Sequence, residues 1–231
     1  MRIGIICAIP NELQYFNFTE NPIQKIGERT FYKGTHDKHE LILVQSGLGK
    51  VNAAVVSTLL IEKFDCEFLL FSGVAGGIDP GIEIGEVIIG DSLIQYDYGK
   101  LKNREMLPFR PGSIPIGESK NEIEYKLPPK IKRKIKTSLP NVRMGKILTG
   151  DVYLQCEKTQ KELYEKYGAQ AIDMEGAAVA QVAEQFGIPS VIVRCLSDRA
   201  GEDSQKLSSK FLNKAAKQSF NTAQKILNVL L

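Results

Sequence analysis

Seven short apolar runs alternate with segments of helical period, and this alternation limits the fold more than any other feature of the chain. Several runs are apolar at consecutive positions, as strands are when helices cover both faces of a sheet. The runs are residues 2–9, 39–47, 67–73, 86–94, 142–150, 169–174 and 189–198, with helical patterns at about 50–63, 157–167, 175–186 and from about 205 onward. We therefore predict an α/β fold with one domain over residues 1–231, in which helices flank a central mixed β-sheet.

The charge pattern argues against a nucleic-acid or membrane partner. The net charge is only +3, and most of the excess lies in a lysine-rich stretch at 125–146. There Ile131, Ile135 and Leu139 recur every four residues, which is typical of an amphipathic helix with solvated lysines. No apolar segment reaches the ~20 residues that span a bilayer. Residues 97–127, rich in Gly and Pro, are predicted to run over the surface.

Cysteine and histidine usage points to a reducing compartment and to no metal or cofactor. The four cysteines form no CxxC pair, and Cys7 and Cys195 lie in apolar runs where Cys acts as a small buried hydrophobe. His36 and His39 are predicted in a turn between two strands and make a weak metal site. The apolar run at 3–9 is too short for a signal sequence. We predict a soluble, cytoplasmic protein.

Polar and glycine-rich segments follow most of the predicted strands. Ligands of such sheets bind beyond the carboxyl ends of the strands, so we expect these segments to form one site. They are Glu12, residues 46–49, 72–77, 151–153 and 173–175, and residues 194–198.

The two glycine loops do not match a phosphate-binding motif. Val44 stands where a phosphate loop has its first Gly, and Val51 follows Lys50 in place of Ser or Thr. We interpret both loops as close backbone approaches, either to a ligand or to a neighbouring element.

Three charged residues are candidates for chemistry. Glu175 begins a predicted helix, where the helix dipole favours its ionised form; it either holds hydroxyl groups such as a ribose diol or only caps the helix. Arg194, inside an apolar run, needs an anionic partner such as Glu12, Glu175 or a substrate group. Asp198 is a proton donor if poorly solvated, or else a turn residue.

Six segments in order carry a family resemblance: "GIICAIPNEL", "SGLGKVNAA", "SGVAGG", "TGDVYL", "DMEGAAVAQVA" and "VRCLSDRAGEDS". Together they resemble the methylthioadenosine/S-adenosylhomocysteine nucleosidases of the purine nucleoside phosphorylase/uridine phosphorylase superfamily. The resemblance implies a nucleoside phosphorylase-like fold. It also implies hydrolysis of an N-ribosidic bond, with release of adenine from a thioether-substituted ribose.

The resemblance also implies residue roles. Glu12 would activate water, Glu175 would hold the ribose hydroxyls, and Asp198 would donate a proton to N7 of adenine. Ser197 and Arg194 would orient the acid and the water. The implied substrate-binding residues are Met174 against the ribose, Tyr153 stacked on the base, the backbone of Leu154 at the base edge, and Ile9, Val74 and Gly76. Asp173 would either support the site residues from behind or be purely structural.

Details of the motifs bear on the choice between reaction types and between purine nucleosides. "AIPNEL" lacks the Gly and Arg of a phosphate loop, which favours hydrolysis over phosphorolysis, and Asp198 in place of Asn suits a 6-aminopurine. Val74 stands where the family has Ser or Thr, which leaves open another purine nucleoside such as futalosine or adenosine. Ser72 is the candidate to compensate. The family's pocket aromatic near the last helix has no obvious counterpart, and Phe211 is the nearest aromatic residue. In the family a partner subunit completes that pocket, so we expect a homodimer. An inactive nucleoside sensor stays open as a different class.

Overall fold

The computed structural model describes residues 1–18, 20–117, 122–201 and 209–230, with only the backbone at 209 and 210. Its strands are β1 (Arg2–Cys7), β2 (Pro22–Ile26), β3 (Arg29–His36), β4 (His39–Gln45), β5 (Phe68–Gly77), β6 (Val87–Gln95), β7 (Gly99–Lys102), β8 (Glu105–Pro108), β9 (Tyr125–Lys126), β10 (Arg143–Thr149), β11 (Ala171–Asp173) and β12 (Ser190–Arg199). Its helices are α1 (Pro10–Leu13), α2 (Lys50–Phe64), α3 (Pro129–Ser138), α4 (Glu157–Tyr167), α5 (Gly176–Gln185) and α6 (Ser209–Leu230).

One mixed sheet runs through the molecule. Its strand order is β11-β10-β6-β12-β5-β1-β4-β3-β2, and β9 pairs with β6. The strands β4, β1, β5 and β12 are mutually parallel, so their carboxyl ends meet at one edge of the sheet. Near this edge β11 also pairs antiparallel with β5, through Ile172 and Gly76. The strand at one end of the strand order is therefore also hydrogen-bonded to a central strand.

Helices cover both faces of the sheet, which explains the consecutive apolar residues. In β1, Ile3 and Ile5 pack in the cluster that includes residues of α3 and α6, whereas Ile6 packs in the cluster under α2 and α5. All three isoleucines are fully buried. The period of two in a strand places neighbouring side chains on opposite faces. Burial at consecutive positions therefore requires the two helical layers.

The predicted fold class is confirmed, with differences at the margins. Each of the seven strand candidates contains an observed strand, and a left-handed Asp37 (φ 50°) turns the chain between β3 and β4, as His36 and His39 indicated. The lysine-rich helix is α3. The edge strand β2 and the short α1 were not among the predicted elements, and β3 was implied only by the predicted turn at His36 and His39.

The segment at 97–127 and the last helix are the remaining predicted elements. Residues 97–127 contain the separate β7–β8 hairpin, but β9 at their end joins the main sheet. The predicted last helix is α6, which begins at Ser209, and its expected start at 205–208 lies outside the described residues. No helix in the described ranges is both long and apolar enough to cross a membrane.

Candidate active site

A cavity of about 300 Å³ opens at the edge of the sheet where the parallel strands end. Every predicted site residue except Arg194 lines it. These residues are Ile9, Glu12, Val74, Gly76, Tyr153, Leu154, Met174, Glu175, Ser197 and Asp198; the other lining residues are Ala8, Leu48, Ala75, Val152, Ile172, Asp173, Ala200 and Leu212. The structure therefore brings together segments that lie about 200 positions apart in the chain.

Glu12 is a buried carboxyl held by backbone N–H groups. It lies in the short helix α1, which begins at Pro10 immediately after β1, and its side chain is bent back over the start of the helix. Its Oε2 accepts from the N–H of Ala8 (2.6 Å) and of Ile9 (3.3 Å), and its Oε1 accepts from the N–H of Val74 (2.9 Å). Burial raises the pKa of Glu12 above its ordinary value of 4.5, although Arg194 and these N–H groups act to lower it. A carboxylate with a raised pKa is a stronger base.

Glu175 follows β11 and is turned toward the glycine loop before α2. Its Oε1 accepts from the N–H of Gly49 (2.9 Å), so the loop at 46–49 makes a close backbone approach to a neighbouring element. Gly49 has φ 95°, a conformation that favours glycine. Burial raises the pKa of Glu175 to about 7, although Arg194 acts to lower it.

In contrast to the expectation, the N–H groups at the start of α5 do not bind the Glu175 carboxyl. The Glu175 side chain makes no capping hydrogen bond, and Asp173 instead accepts from the N–H of Gly176 (3.0 Å). Only 4% of the Glu175 surface is exposed, and burial outweighs the helix dipole.

Arg194 lies behind the cavity wall and is only 1% exposed. Its Nε donates to Asp173 Oδ2 at 2.7 Å, and its Nη2 lies 3.6 Å from Glu175 Oε2, which is an ion pair without a hydrogen bond. Asp173 was missing from the partners expected for Arg194. A Cβ built at Gly73 would lie 2.6 Å from Arg194 Nη1 and 2.7 Å from Glu12 Oε1, so this glycine allows both groups to approach β5. Burial acts to lower the pKa of Arg194, but Asp173, Glu175 and Glu12 raise it, so the guanidinium stays charged.

Ser197 and Asp198 form the opposite part of the cavity at the end of β12. The Ser197 hydroxyl donates to Asp198 Oδ2 at 2.8 Å, which fixes the direction of the carboxyl. A Cβ at Gly76 would lie 3.3 Å from Asp198 Oδ1, so β5 passes close to this acid. A register shift in β12 between Leu196 and Asp198 accompanies this close approach.

The remaining wall is apolar. Tyr153 lies at the open side and is 58% exposed, and Leu154 and Met174 line the interior. Phe211 does not line the cavity and is 55% exposed; the neighbouring Leu212 contributes to the wall from α6. This agrees with the expectation that the family's pocket aromatic has no obvious counterpart near Phe211.

Ser72 does not compensate for Val74. Its side chain is 2% exposed, hydrogen-bonds to the Ser219 hydroxyl of α6 at 2.9 Å, and is absent from the cavity wall. Val74 reaches Glu12 only through its backbone N–H. The carboxyl of Glu12 is therefore held without a side-chain hydroxyl from this strand.

An ionic link fixes two loops of the site. Lys50 Nζ donates to Asp97 Oδ1 (2.6 Å), Asp97 Oδ2 accepts from the N–H of Asp151 (2.9 Å), and Asp151 Oδ1 accepts from the N–H of Lys50 (2.8 Å). This link ties the glycine loop that binds Glu175 to the loop that carries Tyr153. Sequence reasoning missed Lys50 and Asp97, although Asp151 lies in a predicted strand-end segment.

The arrangement suits acid–base chemistry on a neutral polar molecule. The acidic side chains in the described cavity wall are Glu12, Asp173, Glu175 and Asp198, so one of them can activate water while another donates a proton. Within the described ranges no group of three or more His, Cys, Asp and Glu side chains is placed to hold a metal ion.

Comparisons with known proteins agree with this geometry. Residues 2–228 match the family model described as the phosphorylase superfamily. The 5'-methylthioadenosine/S-adenosylhomocysteine nucleosidase of Mycobacterium tuberculosis is 36% identical over 248 residues, covering 99% of this chain and 97% of that protein. The aminodeoxyfutalosine nucleosidase of Campylobacter jejuni is 33% identical over 235 residues, covering both chains completely.

A solved structure gives the same result. The S-adenosylhomocysteine nucleosidase of Streptococcus pyogenes, in complex with 5-methylthiotubericidin, superposes with a TM-score of 0.86 at 30% identity, covering 100% of this chain and 98% of that one. Fold and sequence agree over nearly the whole length. The chain belongs to the phosphorylase superfamily, in the branch that contains the 5'-methylthioadenosine/S-adenosylhomocysteine nucleosidases.

Proposed function

We propose that the chain hydrolyses the N-ribosidic bond of methylthioadenosine and S-adenosylhomocysteine, releasing adenine and the thioribose. One observation carries this proposal: Glu12, Glu175 and Asp198, which the family resemblance singles out, line the same cavity. The relatives and the solved complex above support the substrate class.

Each residue has a role that its surroundings support. Glu12 takes a proton from water, since burial raises its pKa and makes it a better base. Asp198, oriented by Ser197, donates a proton to N7, so that adenine leaves as a neutral molecule. Water supplies the hydroxyl that bonds to the sugar carbon while the bond to nitrogen breaks. Glu175, when ionised, accepts hydrogen bonds from the ribose hydroxyls.

The rest of the wall positions the substrate. Met174 packs on the ribose, Tyr153 stacks on the base, and the backbone of Leu154 meets the base edge. Ile9, Val74 and Gly76 contribute the remaining surface of the cavity. Arg194 acts from behind the wall, through Glu12 and the water that Glu12 activates.

The test is release of free base from methylthioadenosine, S-adenosylhomocysteine, adenosine, inosine and aminodeoxyfutalosine, each with and without phosphate. We expect phosphate-independent release of adenine from the two thioethers. Glu12→Gln should slow release by about 10²–10⁴-fold, whereas Glu62→Gln, at an exposed position of α2, should not. Release that requires phosphate would overturn the hydrolytic role of Glu12.

A second candidate substrate is aminodeoxyfutalosine. The Campylobacter jejuni relative and the Val74 side chain, in place of the hydroxyl expected from the family, favour it. Adenine release from this compound at a higher kcat/KM than from both thioethers would make it the substrate.

We propose that the active form is a homodimer. Leu48, Val51 and Val55 share one side of the glycine loop and α2, with exposures of 56%, 75% and 51%, and Leu48 also lines the cavity. A contiguous apolar surface of this kind is typical of a protein interface. Val51→Glu combined with Val55→Glu should convert a dimer to a monomer in sedimentation velocity, whereas Ile23→Glu on the edge strand β2 should not.

We further propose that residues 1–231 act as one domain in the cytoplasm. The main sheet takes strands from residue 2 to residue 199, which supports a single cooperative unit. Cys7, Cys66, Cys156 and Cys195 are free thiols, as in proteins of reducing compartments. A single unfolding transition and recovery of activity in the cytosolic fraction are the expected results.

A further inference from the structure

We propose that Asp173 is a positioning residue that holds the Arg194 guanidinium so that its free nitrogens face Glu12 and Glu175. The inference rests on the proposed function, because it assigns a role within that reaction. Asp173 is 6% exposed and accepts three hydrogen bonds. The donors are Thr149 Oγ1 (2.6 Å), Arg194 Nε (2.7 Å) and the N–H of Gly176 (3.0 Å).

Asp173 and Phe71 together fix the guanidinium. Asp173 holds its Nε edge, and the guanidinium carbon of Arg194 lies 3.8 Å from the centre of the Phe71 ring. One edge of the guanidinium therefore contacts Asp173, and one face contacts Phe71. The Nη1 and Nη2 atoms are buried and have no hydrogen-bond partner among the described residues. Nη1 lies beside Gly73 and Glu12, and Nη2 lies beside Glu175.

The charge balance explains why a third carboxyl is needed. Arg194 is the one guanidinium whose attraction acts on both Glu12 and Glu175 in the described structure. A guanidinium without Asp173 would form its short hydrogen bonds with Glu175. Glu175 would then be drawn away from the Gly49 N–H and from the ribose hydroxyls. Asp173 takes the short contact at 2.7 Å and leaves Glu175 at 3.6 Å.

Thr149 and Gly176 fix Asp173 in turn. Thr149 Oγ1, at the end of β10, donates to Asp173 and accepts from the N–H of Ala177 (2.9 Å), so the hydroxyl links the sheet to the start of α5. A Cβ at Gly176 would lie 2.5 Å from Asp173 Oδ2, so any side chain there would displace the carboxylate. The aspartate is therefore held from the strand side and from the helix side.

The test is Asp173→Asn, which keeps the shape and removes the charge. The amide oxygen can still accept from Arg194 and Gly176, so the fold should be retained. We expect kcat to fall by about 100-fold, because a displaced guanidinium misplaces the groups it orients. Asp91→Asn is the matched control. Asp91 lies in β6, pairs with Lys132 of α3 and does not line the cavity.

The pH profile separates positioning from a merely structural role. The charged groups that act on Glu175 are Arg194, Asp173 and Glu12, and the Asp173 charge raises its pKa. Because Glu175 must be ionised to accept hydroxyl hydrogen bonds, wild-type kcat/KM should fall as pH drops below about 7. In Asp173→Asn this acid limb should move to lower pH. Because Thr149→Val loosens Asp173 but keeps its charge, a limb that moves in this variant as well reports the position of Arg194, whereas a merely structural role would leave it at the wild-type pH.

A second variant and a second measurement keep the outcomes separable. Thr149→Val removes the hydroxyl that fixes Asp173 and should lower kcat about fivefold, whereas Thr149→Ser should restore it. The second measurement is thermal unfolding, which does not depend on turnover. Between pH 5 and pH 8.5, Tm should fall less in Asp173→Asn than in wild type. Wild-type inactivity on every nucleoside would overturn the proposed function alone. Wild-type-like kcat and unchanged pH profiles in Asp173→Asn would overturn the role of Asp173.

Discussion

Glu175→Gln should make the protein more stable and less active at the same pH. Burial raises the pKa of Glu175 from 4.5 to about 7. A carboxyl whose pKa is raised on folding stabilises the folded state below its unfolded value, and this contribution is lost as pH rises through the folded value. At about 1.36 kcal/mol per pKa unit, the ionised side chain costs the folded protein about 3 kcal/mol above pH 8. Glutamine resembles the neutral form and avoids this cost.

The assay is urea unfolding of wild type and Glu175→Gln at pH 4 and pH 8.5, with Glu62→Gln as the exposed control. The variant should gain about 3 kcal/mol of unfolding free energy at pH 8.5 and almost none at pH 4. It should also lose base release, because an amide binds ribose hydroxyls less strongly than a carboxylate. An equal gain at both pH values, or no gain at pH 8.5, would refute the reasoning from burial.

Three further substitutions probe the same cavity. Gly73→Ala places a Cβ within 3 Å of Arg194 and Glu12, so we expect kcat/KM to fall about 100-fold with an unchanged circular dichroism spectrum; near-normal turnover would contradict the close packing. Asp198→Asn should slow adenine release by about 10²–10⁴-fold in single-turnover kinetics, and an unchanged rate would remove its role as acid. Val74→Ser adds a hydroxyl beside Glu12 and should speed single-turnover release about fivefold; a slower rate would show that the extra hydroxyl misplaces the water.

The site could be predicted from the sequence because its acids follow strands. Glu12 and Asp198 are 186 positions apart, but β1 and β12 both run parallel to β5, so the segments after them meet at one edge. Apolar runs of the right length identify the strands, and the polar residue after each run identifies the edge. This reasoning requires no side-chain geometry, and residues of the predicted strand-end segments line one cavity. Ile9 and Leu154 lie outside those segments and were expected only from the family resemblance.

Side-chain direction could not be predicted in the same way. Asp173 and Glu175 both lie near the start of α5, and the sequence pattern does not show which of them caps the helix. The backbone at Glu175 (φ −138°, ψ −35°) turns its carboxyl toward Gly49, which the link from Lys50 to Asp97 holds in place. That choice depends on a loop 126 positions away.

Which residue of α6 contributes to the cavity wall depends on how the helix packs against the sheet. Leu212 reaches the cavity because α6 packs along β5 and β12, whereas the preceding residue, Phe211, is 55% exposed. Both residues are apolar and adjacent, and a helical period assigns a face only after the neighbouring strands are known.

The place of β12 in the sheet sets the order in which the molecule can be completed during synthesis. This strand is the last along the chain, but it lies between β6 and β5. A ribosome adds about 5–20 residues per second. On the order of ten seconds therefore pass between the synthesis of β5 and that of its partner strand β12. During that interval the parts of the sheet around β1 and β6 lack their common central strand. Binding of a nucleoside can begin only after this final strand has joined the sheet, because Ser197 and Asp198 of β12 line the cavity.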